Sequence, residues 1–185
     1  MNSLYEAVRA GDRARVQSIV EEDPSLAIFA AAMLGDAARV EELLAANRSL
    51  VSAMSPDGWT PLHLAAFFGG LDAAKLLLNK GASPQARSAN AMQNLPLHAA
   101  AAGKHAKVAK LLIDHGSPVD ARQHGGWTAL HSAAQSGDLE LAEILIAVGA
   151  DAGARADNNQ CPLDLALTKG HQQMVELLEK HGASL

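Results

Sequence analysis

Aromatic side chains are scarce in this chain: two tryptophans, three phenylalanines and one tyrosine make up 3% of 185 residues. Apolar residues nonetheless reach 49%, and alanine carries much of that share. Small side chains let backbones approach closely, as stacked helices require, and alanine is the strongest helix former. Cysteine is almost absent. With Cys161 alone there is no disulfide framework and no cysteine-based zinc site, which fits a reducing compartment. Basic residues are outnumbered, 15 Lys and Arg against 20 Asp and Glu, for a net charge of -5. Nucleic acid is therefore not the expected partner, because phosphate binding needs a basic face that releases counterions. Long apolar runs are missing as well. The longest, Leu26 to Leu34, is too short to span a bilayer. Met1 to Ala7 shows no basic leader followed by an apolar stretch. The expectation is a soluble cytoplasmic protein that does not insert into membranes.

What the chain has in abundance is self-similarity. Thr60-Pro61-Leu62-His63 is echoed by Leu95-Pro96-Leu97-His98, Thr128-Ala129-Leu130-His131 and Cys161-Pro162-Leu163-Asp164. The fourth residues are 35, 33 and 33 apart, and each is followed 18 residues later by a glycine: Gly81, Gly116, Gly149 and Gly182. A fixed period of this length is the mark of a repeat architecture. Each unit reads as helix, turn, helix. Proline suits a first helical turn, and Thr60 or Thr128 can cap from just before it. Gly69, Gly137 and Gly170 break the first helix. The second carries apolar pairs such as Ala74 with Leu77 and Ala142 with Leu145, then stops at a glycine suited to a left-handed cap. Upstream, Gly11-Asp12 and Gly35-Asp36 occupy the Gly137-Asp138 position only 24 residues apart, so the first pair lacks the long connection of the others. Six helix pairs are predicted, over 4–24, 26–51, 60–80, 95–115, 128–148 and 161–181.

On this period and on Thr60-Pro61-Leu62-His63 the chain resembles ankyrin repeats, strongly over 53–185 and in degraded form over 1–52. The resemblance implies an all-α solenoid of antiparallel helix pairs with short β-hairpin fingers, about six repeats forming a single domain over 1–185. Residues 1–52 would be degenerate N-terminal capping repeats, 53–154 regular repeats and 155–185 a C-terminal capping repeat. Each pair has too little core to fold alone, and stacking makes the core continuous. Lys104 stands where the other turns have glycine, so that turn is expected to shift or strain. The connection from Gly81 to His98 is two residues longer and lacks a tip glycine, which predicts an irregular and mobile finger. Ser18 and Glu42 replace Leu76, Leu111, Ile144 and Leu177 of later repeats, as a capping layer requires.

Eight histidines invite a metal or catalytic reading. His63, His98 and His131 occupy the signature position, where the resemblance implies a hydrogen bond to the nearby threonine. One histidine per layer gives no i, i+4 pair of the kind zinc helices use. No phosphate loop, nucleophile elbow or carboxylate pair accompanies them. Cys161 reads as a packed thiol. No catalytic residue, metal or cofactor is predicted.

The candidate partner-binding residues are those that the fold does not require. In this family the fingers and the ends of the first helices line a concave face. Here that maps to Trp59, Phe67, Phe68, Arg87, Met92, Asn94, Arg122, His124, Trp127, Gln135, Arg155 and Lys169. Trp and Arg dominate binding hot spots. Phe67 and Phe68 can equally pack against the next finger. Arg87, Arg122 and Arg155 recur at one frame position, either as solvated finger charges or as a basic ladder. The function expected is a non-catalytic, monomeric protein-interaction module whose partner presents an apolar side chain flanked by acidic residues. The alternative is a regulatory or inhibitory subunit of a permanent complex or homodimer.

Overall fold

Three of the first helices begin where a proline follows a residue in extended conformation. Thr60, Leu95 and Cys161 have ψ of 163°, 164° and 169°, and Pro61, Pro96 and Pro162 open α5 (Pro61–Phe68), α7 (Pro96–Gly103) and α11 (Pro162–Lys169). Proline's fixed φ is preorganised for that position, and its missing N–H is one the helix could not have used. Thr128 starts α9 (Ala129–Ser136) in the same way without proline. A residue in the left-handed region ends each of these four helices, and a tight turn sends the chain back as a second helix. These are α6 (Leu71–Asn79), α8 (Ala106–Asp114), α10 (Leu139–Ala147) and α12 (Gln172–Lys180). The second helices stop at Gly81, Gly116, Gly149 and Gly182, with φ between 88° and 97°. Upstream lie α1 (Asn2–Arg9), α2 (Arg13–Glu22), α3 (Ala27–Met33) and α4 (Ala37–Ala46), so the expected six pairs are all present. The computed structural model describes residues 1–183.

The first helices pack in one row, α3 on α5 on α7 on α9 on α11, with α1 against α3. The second helices α4, α6, α8, α10 and α12 form a row behind them. The signature leucines Leu62, Leu97, Leu130 and Leu163 are buried between layers, together with Ala65, Ala100, Ala133 and Ala166. Each such leucine contributes about 1.5–3 kcal/mol. The alanines bring neighbouring backbones close enough for the row to close. Ser18 and Glu42 are exposed where Leu76, Leu111, Ile144 and Leu177 are half-buried, which gives the N-terminal layer its polar outer side.

The turn at Lys104 keeps the repeat geometry. Lys104 itself adopts φ 60°, ψ 43°, and its Nζ donates to the Ser136 carbonyl at 3.0 Å. The expected strain is therefore carried by one residue without a shift of the turn. Gly103 precedes it because a Cβ there would run into the Phe67 carbonyl.

The fingers are shorter than β-hairpins. One backbone bond joins the two arms of each: Ser55 N–H to Trp59, Ser88 to Asn94, Gln123 to Trp127 and Ala156 to Gln160, all at 2.9 Å, above a turn bond at the tip such as Gly58 N–H to Ser55 (2.8 Å). No strand is present among the described residues. Residues in the left-handed region, Gly58, Gln93, Gly125 and Asn159, occupy the tips, and the next backbone bond goes sideways instead of forming a second rung. Ala89 N–H donates to Gly58 (2.8 Å), His124 to Met92 (2.9 Å) and Asp157 to Gly125 (2.9 Å). The first finger has Pro56 at the position of His124 and Asp157, so the open edge of the row presents no N–H there. The long finger is irregular, as expected, and polar side chains tie it down. Asn90 Oδ1 accepts from Ser88 Oγ (3.0 Å) and Met92 N–H (3.0 Å), while its Nδ2 donates to the Asp57 carbonyl (2.9 Å).

Candidate partner-binding site

Histidines fasten the fingers to the helices. In α5, α7 and α9 the Nδ1 of His63, His98 and His131 accepts the backbone N–H of Thr60, Leu95 and Thr128 at 3.4, 3.1 and 3.2 Å. Thr60 and Thr128 add their hydroxyls, 2.8 and 2.9 Å from the same nitrogen. An accepting Nδ1 leaves the proton on Nε2, which donates to the next finger: to Asn94, Ala121 and Gln160 carbonyls at 3.0, 2.8 and 3.2 Å. Each ring thus bridges two repeats as a neutral imidazole. Burial lowers all three pKa values, His63's to about 4, against partial opposition from the carbonyl each ring donates to. Beyond the α11–α12 repeat no finger lies among the described residues, and its signature position holds an acceptor only. Asp164 Oδ2 takes the Cys161 N–H at 2.8 Å, and this bond holds its carboxyl below the usual range. Cys161 is buried. The histidines are structural, and no group of three His, Cys, Asp or Glu able to hold a metal occurs among the described residues.

With the fingers fixed, a cleft of about 460 Å³ opens at the N-terminal end of the face formed by fingers and first helices. One wall is α1, whose Asn2, Tyr5, Glu6 and Arg9 share a helical face. The other walls are Asp57 and Trp59 of the first finger, Phe67 of α5 and Asn90 of the long finger. Tyr5 stacks on Phe68 with centroids 5.7 Å apart at 14°. Phe67 stands edge-on to Phe68 (5.3 Å, 77°) and to Trp59 (5.4 Å, 74°), and Trp59 tilts over His63 at 5.8 Å. The Arg9 guanidinium lies 5.8 Å from the Phe67 ring centre. Burial first, and then the Asp57 carboxylate beside it, push the Tyr5 phenol well above its ordinary pKa. Five of the chain's six aromatic residues are Tyr5, Trp59, Phe67, Phe68 and, apart from them, Trp127. The first four meet here.

Trp127 does not join them. It stands over His131, centroids 5.7 Å apart, one long finger removed from Trp59. A single pocket formed by Trp59, Phe67, Phe68 and Trp127 is therefore replaced by a cleft lined by Tyr5, Trp59 and Phe67, with Phe68 packed against Tyr5 and Phe67. Asn94 is also corrected: it is 5% exposed, its backbone serves His63 and Ser88, and its Oδ1 has no hydrogen-bond partner among the described residues. It occupies the slot of Trp59 and Trp127, but in the longer finger that slot turns inward. The arginine ladder exists as a set of stitches. Arg87 Nη1 donates to the Gln93 (2.8 Å) and Arg122 (3.2 Å) carbonyls, and Arg155 Nη1 to Asn159 (2.9 Å). Arg122 pairs with Asp157 at 3.0 Å, directly over Gly126, where a Cβ would collide with both groups. Met92, His124, Gln135 and Lys169 are exposed. The backbone of Met92 accepts from His124, and the Gln135 carbonyl takes His171 Nε2 at 3.3 Å. Tyr5, Glu6, Arg9 and Asn90 went unrecognised from sequence. For the first three the signal was the 2-5-6-9 spacing on a helix that reads otherwise as a polar cap, and Asn90 carried none.

No described helix is long and apolar enough to cross a membrane. Ninety-five residues, 49% of the chain, are 40% identical to the Neurogenic locus Notch protein of Drosophila melanogaster, of which they span 3%. Seventy-four residues, 40% of the chain, are 39% identical to the 2-5A-dependent ribonuclease of Mus musculus, spanning 10% of it. Human ankyrin repeat and SOCS box protein 18 matches at 40% over 77 residues, 42% of this chain and 16% of that protein. The chain thus corresponds to a small part of each of these relatives. A family model described as ankyrin repeats in three copies matches residues 4–88 and 97–185, and a second, of many copies, matches 68–113. Two family models together span the six helix pairs, their turns and their histidine-fastened fingers, and the chain belongs to the ankyrin repeat family.

Proposed function

We propose that this chain is a non-catalytic interaction module that binds a protein or peptide on the face formed by its fingers and first helices, as a monomer. Ankyrin repeats generally serve as protein-interaction modules. The observation that carries the specific reading is the aromatic cleft. Three of six aromatic residues line one opening of about 460 Å³ and a fourth, Phe68, packs against two of them, in a chain whose core is mostly alanine and leucine. Half-buried rings flanked by polar groups, as these are, are the usual anchors of a binding surface. Trp59 and Phe67 are placed to grip a side chain of the partner against their ring faces, with Met92 and His124 continuing the surface along the fingers. Arg87, Arg122 and Arg155 are committed to finger carbonyls and to Asp157. Their role is to stiffen the row, and acidic residues on the partner are no longer needed to explain them.

The test is a selection of displayed peptides against the folded chain, followed by hydrogen-exchange mapping of the binders. Protection concentrated on α1, α5 and the fingers is expected, with binding weakened about tenfold or more in Trp59→Ala. Protection confined to α6, α8 and α10 would refute the reading. A stable dimer by light scattering at micromolar concentration would favour the permanent-complex alternative instead.

A further inference from the structure

We infer that the N-terminal cleft receives the guanidinium of an arginine side chain from a basic segment of the partner, and that Arg9 occupies its seat in the free protein. This deepens the functional reading above and rests on it. Phe67 already holds a guanidinium: Arg9 Cζ lies 5.8 Å from its ring centre. Among the described residues Arg9 makes no ion pair and no side-chain hydrogen bond, although Glu6 and Asp57 line the same cleft. Glu6 lies at the limit of an ion pair with Arg15, at 4.0 Å. A cation is therefore bound to an aromatic face beside two carboxylates that it does not reach. A partner guanidinium entering from solvent meets Trp59 and Phe67, edge to face at 5.4 Å, and passes Glu6 and Asp57 on the way. A planar cation on aromatic faces gains more as water is excluded, and arginine does this better than lysine.

Complementarity of charge points the same way. The chain carries -5 overall, and the cleft lining holds two carboxylates against the single Arg9. When Arg9 swings out, the lining holds two carboxylates, three aromatic rings and two asparagines, with no positive charge. Its side chain sits on an exposed helix end, so release needs only rotamer changes. The face of Phe67 that Arg9 covers has no room for a second cation, so an arginine entering on that face competes with Arg9 directly. The consequence is specific: removing Arg9 tightens binding, although it deletes a residue of the cleft wall.

The experiment uses the full chain with Trp127→Phe, leaving Trp59 as the one tryptophan to report. The probe is a nine-residue Gly/Ser peptide with a central arginine, compared with the same peptide carrying citrulline, lysine or glutamate. A saturable change of Trp59 fluorescence is expected for arginine, with lysine weaker and citrulline at least about tenfold weaker. Arg9→Ala should tighten the arginine peptide by about threefold or more. Asp57→Asn and Glu6→Gln should each weaken it by about two- to fivefold, an effect reduced at high salt. Equal binding of citrulline and arginine would overturn the cation assignment and leave the proposed binding face standing. So would no change, or weaker binding, in Arg9→Ala. A preference for the glutamate peptide, or no response of Trp59 to any of the four, would also overturn it, whereas the face itself fails only if selected binders protect the opposite helices.

Discussion

His131 and Asp164 stand at the same frame position and do different work because of what lies beyond them. The His131 ring accepts the Thr128 N–H on one side and donates to Gln160 of the next finger on the other. Asp164 bridges to no finger among the described residues, and there a carboxylate that only accepts is sufficient. Exchanging them should therefore be asymmetric. Asp164→His should change stability by less than about 1 kcal/mol, since its outward nitrogen meets water. His131→Ala should cost about 1–3 kcal/mol. His131→Asp should cost more than about 3 kcal/mol, because it buries a charge facing a carbonyl. Urea denaturation of the three variants checks the order. The same rings impose a pH dependence. Their folded pKa values lie below the ordinary 6.5, His63's at about 4, so on acidification the unfolded chain takes up protons first. The staples' contribution is complete above about pH 6.5 and is lost as pH falls toward 4. Denaturation midpoints measured from pH 7.5 to 4.5 should fall across that window, and the fall should be shallower in His63→Ala.

At the scale of elements, the turn between α7 and α8 shows what a repeat tolerates. Lys104 holds a left-handed conformation that costs an L-residue about 1 kcal/mol, and its Nζ recovers part of that through the Ser136 carbonyl. Lys104→Gly is expected to stabilise by up to about 1 kcal/mol, while Gly103→Ala should destabilise clearly, because the added methyl collides with the Phe67 carbonyl. Thermal melts of the two variants would separate these effects. The long finger carries the complementary lesson. Its missing glycine and extra residues were legible, and so was its irregularity. That Asn90 would organise it, bonding Ser88, Met92 and the Asp57 carbonyl, was not, since those partners include a finger 33 residues away. Asn90→Ala should make this finger the first site of limited proteolysis, and cleavage first at another finger would contradict that.

The molecule as a whole is a stack in which each layer touches only its neighbours, so stability is graded along it. The middle layers, α5 to α10, are covered on both sides by alanine-lined contacts and histidine staples. The α1–α2 pair is different. It has no finger after it, and a second cleft of about 500 Å³, lined by Val16, Val20, Ala27, Ala31 and Leu34, opens along its junction with α3 and α4. Both of its helices pack on α3, and Tyr5 on Phe68 and Arg9 on Phe67 tie α1 to α5 as well. Native-state hydrogen exchange should therefore be fastest in α1 and α2 and slowest in α5, α7 and α9. Phe68→Ala should accelerate α1 exchange without altering α9.

Period, helix starts and helix stops were decided locally, by Pro61, Pro96 and Pro162, by the capping threonines and by glycines that accept a left-handed cap at least cost. Such signals act within a few residues of one another, so the six-pair architecture could be read in the sequence without knowing what touches what. The candidate site could be read only in part. Trp59, Phe67 and Phe68 stand out as rare rings at outward positions, but their partner Tyr5 lies more than fifty residues away in a degenerate repeat. Trp127 and Asn94 share Trp59's frame position and still differ from it, one standing alone over His131 and the other turned inward by a longer finger. The arginines show the same division. Their recurrence is a property of the sequence, whereas their donation to neighbouring carbonyls and to Asp157 depends on fingers brought side by side. Stacking decides these matters because it sets distances between residues 30 or more positions apart, and no local preference encodes such a distance.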